Sequence, residues 1–199
     1  MTLLDPVHEG YVHGRRVRVL LSHLAPLLPE NGTVLDVGAG DGHIARALMD
    51  ARPDVSIEGI DPLVRPGTKI PVTEFDGRRV PFEDGSFDAV LFVDVLHHAD
   101  DAMTLLREAQ RVGRKAVIIK DHRRDGILAA PTLRFMDAVG NRRHGVALPY
   151  SYWSSAEWSR AFSDTRLEPE IEIRKLGLYP FPASLLFDRG LHFVARLRV

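Results

Sequence analysis

The residues with chemistry to offer fall in a few short stretches. The first is the pattern Asp36-x-Gly38-x-Gly40-x-Gly42 in "VLDVGAGDG", where an apolar run gives way to a helix-like segment. Glycines at such a junction accept positive backbone angles and let a ligand approach the main chain closely. In an open parallel sheet, ligands sit beyond the carboxyl ends of the strands, where this turn lies. Two kinds of cofactor use a turn of this sort. One brings a pyrophosphate; the other brings a zwitterionic amino acid joined to an adenosine. The dinucleotide fingerprint is G-x-G-x-x-G. Here the third glycine comes one residue early, and His43 takes the fingerprint's last place. Asp36 and Asp41 put two carboxylates beside the turn, which would repel a pyrophosphate and suit an ammonium group.

Two further acids follow at strand ends. Asp61, in "GIDP", stands where a carboxylate accepts both ribose hydroxyls in an α/β nucleotide fold. That role fits either cofactor class, and Asp61 also reads as a plain turn residue before Pro62. Asp76, in "EFDG", is placed to accept from an adenine amine, with the Gly77 N–H open to a ring nitrogen, although Asp-Gly is also an ordinary turn.

Two histidine stretches could move a proton. "LHH" places His97 and His98 just beyond one strand, and "KDH" places Asp121 and His122 beyond the next. Imidazole titrates near neutrality and can take the proton of a phenol or hydroxyl. His98 reads equally as a base or as a packing residue, and His97 reads as packing. Asp121 and His122 read as a cooperating pair or as a loop turn. No metal is expected, because these histidines share no helical or hairpin ligand spacing. A last stretch, "LRFMDAVGNRRHGVALPYSYW", offers apolar Leu133, Phe135, Met136 and Val139, basic Arg142, Arg143 and His144, and the hydroxyls of Tyr150 and Tyr152. This mixture suits an aromatic or partly apolar acceptor bearing an acid group. Its plainer reading is core packing plus a solvated basic turn.

The elements that must position these residues alternate along the chain. Helical spacing covers 11–28 and is ended by Pro29, Asn31 and Gly32. Strand patterns follow at 33–37, 56–61, 69–75, 87–94 and 115–120, with helices at 42–51 and 100–113. Asp100 or Asp101 caps the second of these helices and Gly113 ends it. Strands alternating with helices give an α/β fold, a parallel sheet with helices on both faces. The rhythm changes at 121–153, which reads as a lid or substrate segment around a short helix at 128–139. A capping box joins Ser154 to Glu157, with Trp153 and Trp158 at the staple positions. The last two strands, 170–176 and 191–199, pair antiparallel at one sheet edge.

A length of 199 residues fits one domain, 1–199. The absence of cysteine excludes disulfides and thiolate catalysis, including cytosine C5 methylation, and points to a reducing, cytoplasmic setting. A net charge of -1 disfavours sequence-independent nucleic-acid binding. No apolar run is long enough for a membrane span, and the N-terminus does not read as a signal peptide.

"VLDVGAGDG", "GIDP" and "FDGRRVPFEDGSFDAVLFVDVLHH" together resemble class I S-adenosylmethionine-dependent methyltransferases. Within these the chain is most similar to the methyltransferase type 11 group, which includes quinone-biosynthesis C-methyltransferases. The resemblance covers residues 33–120. It implies a Rossmann-like, seven-stranded, mostly parallel sheet with an antiparallel C-terminal strand. It implies S-adenosylmethionine as cofactor and S-adenosylhomocysteine as product. It assigns Gly38, Ala39 and Gly40 to the methionine moiety, Asp36 and the Val93 carbonyl to its ammonium, Asp61 and Pro62 to the ribose, and Asp76 with Gly77 to the adenine. Asp41 departs from the small polar residue often found there. An activated sulfonium methyl needs in-line alignment, and a base only where the acceptor must lose a proton. His98, His122, Asp121 and Tyr150 are the candidates for that work. The expected acceptor is a small organic molecule, methylated on O, N or C. The alternatives are a protein or RNA methyltransferase, for which Arg123, Arg124, Arg142 and Arg143 would have to form a basic face, a binding-only protein, and a nicotinamide oxidoreductase.

Overall fold

The structure, a computed structural model, describes residues 5–140 and 151–199. Seven strands form one sheet in the order β3-β2-β1-β4-β5-β7-β6. These are β1 (Thr33–Val37), β2 (Ser56–Asp61), β3 (Val72–Glu74), β4 (Phe87–Val93), β5 (Gly113–His122), β6 (Glu168–Ile173) and β7 (His192–Arg198). The first five pair in parallel, and β7 runs antiparallel between β5 and β6. The antiparallel pairing of the last two strands and the Rossmann-like class agree with the sequence reading. The helices are α1 (Asp5–Leu24), α2 (His43–Ala51), α3 (Ala102–Val112), α4 (Ala129–Gly140), α5 (Ser155–Asp164) and α6 (Ser184–Phe187).

The central strands are apolar on both faces because helices cover both. Along β4, after a register shift between Phe87 and Ala89, Val90 and Phe92 enter one core with α3 and α5, while Ala89 and Leu91 enter the other with α1 and α2. That alternation is the two-residue period of a strand buried on both sides. The capping box holds as expected: Ser154 Oγ accepts from Glu157 N, and Glu157 reaches back to Ser154 N at 2.7 Å. Trp153 and Trp158 meet edge to face at 4.8 Å across it.

Several boundaries differ from the sequence reading. The first helix runs Asp5–Leu24 rather than 11–28, and Ala25–Leu27 form a tighter 3-10 turn. Pro26 has no N–H to continue the α pattern. The third strand is Val72–Glu74, with Pro71 just outside it but still accepting from Gly59 N at 2.9 Å. Asp101, not Asp100, caps α3 by accepting from Thr104 N. The fifth strand extends to His122, so Asp121 and His122 are strand residues paired with Phe193 and His192 of β7 rather than a loop beyond it. Among the described residues no helix is long and apolar enough to cross a membrane.

Candidate active site

The strand order reverses between β1 and β4, and the carboxyl ends of the strands open there onto a cleft of about 720 Å³. This is where an open α/β sheet places its ligand. One part of the cleft is built by the ends of β1, β2 and β3 and the turns after them. Gly38, Gly40, Asp61, Pro62, Asp76 and Gly77 all line it. Gly38 has φ of +75°, and a Cβ there would stand 2.6 Å from Val95 Cγ2, so both backbone angle and space require glycine. Asp61 accepts from Gly40 N and Leu63 N, each at 2.8 Å, and thereby locks the glycine turn against β2. Asp76 accepts from the amides of Arg78 and Arg79, which hold its carboxyl below the usual range.

Three of the residues assigned to this part are not among those lining the cleft. Asp36 is 4 % exposed. Burial, reinforced by Asp61, pushes its pKa up to about 7. Ala39 packs against Gly59 of β2. Val93 packs its side chain into the α1–α2 core, and the chain turns sharply after it at Asp94, whose φ is +59°.

The other part of the cleft is lined by His97, His98, His122, Met136, Asp137 and His192. His97 is the hub. Its Nδ1 lies 2.6 Å from Asp121 Oδ1, and its Nε2 lies 3.5 Å from Asp137 Oδ2. Asp121 is fully buried, receives the amides of Leu96 at 3.0 Å and His122 at 2.7 Å, and stays ionised. Burial opposes a charge on His97, but Asp121 outweighs it and raises the pKa to about 10. Burial pushes His98 below its ordinary value. His122 falls to about 4, through burial and then the charge of Lys120. His98 and His122 are therefore neutral imidazoles at neutral pH. The Tyr152 hydroxyl donates to Asp137, tying the chain before α5 to α4.

Sequence reasoning assigned His97 to packing, whereas the structure sets it between two carboxylates at the cleft. Its partner Asp137 comes from α4, and no local pattern links the two positions. Asp94 was also missed as a site residue. It lines the cleft and pairs with both Arg16 of α1 and the fully buried Lys120. Of the apolar residues expected in the acceptor pocket, only Met136 lines the cleft. Leu133 is core, and Phe135 and Val139 face solvent. Tyr150, Arg142, Arg143 and His144 lie outside the described residues.

The sheet order and the acid-flanked glycine turn define a Rossmann-like domain with its ligand cleft at the β1–β4 switch point. The family profile described as "Methyltransferase domain" matches residues 35–119. Over this segment the chain is similar to S-adenosylmethionine-dependent methyltransferases. An uncharacterized methyltransferase of Mycobacterium sp. (strain JLS) is 38 % identical over 93 residues, covering 43 % of this chain and 36 % of that one. The 27-O-demethylrifamycin SV methyltransferase of Amycolatopsis mediterranei is 32 % identical over 131 residues, covering 55 % and 48 %. The matched segments thus span between a third and a half of these curated relatives. A Haloferax volcanii methyltransferase, solved as a complex with its activator Trm112, shares the fold at a TM-score of 0.68, with 19 % identity and 96 % and 94 % of the two chains covered.

Proposed function

We propose that the protein transfers a methyl group from S-adenosylmethionine to a small organic acceptor. The observation that carries this reading is the two-part cleft, with a glycine-and-carboxylate part beside a histidine-rich part in a single cavity. The residues fit the donor. Asp36 is a buried carboxylate, and an ammonium group would pair with it, directly or through water. Asp61 and Asp76 each keep acceptor capacity beyond the backbone amides they already hold, for ribose hydroxyls and an adenine amine. The Val93 carbonyl and the Gly38–Gly40 main chain would complete the amino-acid end. When bound, the donor supplies a methyl group already activated on sulfonium. The protein's own task is to orient the acceptor, exclude water and receive a proton where one is lost. Neutral His98 and His122 are placed for that last step.

A small acceptor is favoured over a polymer by two of the arginines that would have formed a basic face. Arg123 is 4 % exposed, paired with Glu172 and laid over the Phe193 ring at 4.4 Å. Arg124 is paired with Glu157 at 2.6 Å. Neither offers free charge to a phosphate backbone. The Amycolatopsis relative, whose name gives 27-O-demethylrifamycin SV as its substrate, points the same way. The test is incubation of methyl-labelled donor with metabolite extracts, with and without the protein. Label should enter a small-molecule fraction. Label in protein or RNA alone would favour the polymer reading, and saturable donor binding with no transfer to any fraction would leave a binding-only protein.

A further inference from the structure

The histidine-rich part of the cleft holds more than proton transfer requires. Asp121 can only accept, so the 2.6 Å contact places hydrogen on His97 Nδ1, and Nε2, which faces Asp137 and is also protonated in the ion-free protein, would release its proton on binding an ion. Nε2 of this 2 % exposed residue has no hydrogen-bond partner among the described residues. His98 follows on the same 3-10 turn, its ring 3.9 Å from that of His97, and its buried Nδ1 is likewise without a partner. One ligand atom from each of His97, His98 and Asp137 lies within 4.8 Å of the others, and all three residues line the cleft.

We propose that His97, His98 and Asp137 form a binding site for a divalent first-row transition ion, with its open coordination positions facing the cleft. Two imidazoles and one carboxylate are a ligand set such ions take, and three protein ligands leave room for water or an oxygen of the acceptor. The supporting bonds are in place. Asp121 orients His97, as carboxylates orient metal-bound imidazoles, and Tyr152 donates to Asp137. The deeper group of His97, Asp121 and His122 is the weaker choice, because both Asp121 oxygens are already committed and Asp121 does not line the cleft. Metal–ligand bonds of about 2 Å would draw the three side chains closer together. The ligand class that the open positions favour is an acceptor with an oxygen donor, such as a phenol, an enol or a hydroxy acid; that part rests on the methyl-transfer reading. With the ion held, His98 is a ligand and His122 is left as the proton acceptor.

The test uses the untagged, chelator-treated full chain titrated with Co²⁺, followed by visible d–d absorbance, with no methyl donor or acceptor present. One Co²⁺ per chain should bind, and Zn²⁺ should displace it. Asp137→Asn and His98→Ala should each abolish the signal, while Tyr152→Phe should weaken binding about 10- to 100-fold. Circular dichroism should be unchanged in all three, and Tyr152→Phe, which removes only a hydroxyl, guards against a variant that fails to fold. No saturable Co²⁺ binding by the parent chain would overturn the proposal. So would equal affinity in the parent and the two ligand variants. Failure here leaves methyl transfer untouched, and an ion-binding protein that transfers no methyl group would sink only the other reading.

Discussion

At the scale of single residues, the two acids flanking the glycine turn do different work and should fail differently. Asp61 is a hydrogen-bonded acid at the cleft surface, accepting from Gly40 N and Leu63 N. Asp61→Ala should leave the fold intact and weaken S-adenosylhomocysteine binding by at least tenfold, about 1.4 kcal/mol or more; unchanged affinity in calorimetry would remove Asp61 from the site. Asp36 is a buried acid whose pKa is raised from 3.8 to about 7. The folded state therefore holds its proton more tightly than the unfolded state does. Between these two values Asp36 makes stability fall as pH rises, the reverse of a salt-bridged carboxylate. A cationic ligand needs Asp36 ionised, so binding must release the proton. Ligand affinity should rise by up to roughly tenfold per pH unit as pH approaches 7 and level off above it. Asp36→Asn should bind more weakly, with a flat pH profile and better stability of the free protein at alkaline pH. A parent profile that is flat across this range would show that Asp36 does not face the ammonium.

At the scale of elements, Asp94 joins three of them. It ends the turn after β4, pairs with Arg16 on α1 and with Lys120 on β5, and sits in a left-handed backbone conformation. Lys120 is fully buried, so Asp94→Ala would strand an uncompensated charge and should cost about 3–5 kcal/mol in denaturant unfolding. Adding Lys120→Met to Asp94→Ala should recover much of that loss; a double variant no more stable than the single one would mean the cost is not the stranded charge. The same junction shows what the sequence could and could not convey. The glycine turn, Asp61 and Asp76 were legible because each belongs to a local strand-to-turn pattern with a fixed offset. His97 and Asp94 were not, because their partners come from elements far along the chain. Asp137 joins His97 only once α4 folds over the cleft, and Arg16 joins Asp94 only once α1 packs on the sheet. Asp121 and His122 read as a loop because the strand signal "KAVIIK" stops at Lys120. The strand continues because β7 inserts beside it and supplies ladder partners for two more residues.

At the scale of the whole molecule, the cleft draws its walls from separate parts of the chain. Turns after β1, β2 and β3 form one part, while the turn after β4, the end of β5, α4 and β7 form the other. A ligand spanning them ties these segments together, so it should stabilise the native state as a unit. The gain for a ligand that binds only the folded form is set by its concentration relative to its dissociation constant. At a hundredfold excess this is about 2.7 kcal/mol, or roughly 5–10 °C in Tm for a chain of this size. S-adenosylhomocysteine at such an excess should raise Tm by that amount. NAD at the same concentration should produce no shift, because the carboxylates of Asp36 and Asp41 beside the glycine turn oppose a pyrophosphate. A larger shift with NAD would reverse the ligand assignment and turn the cleft toward hydride chemistry.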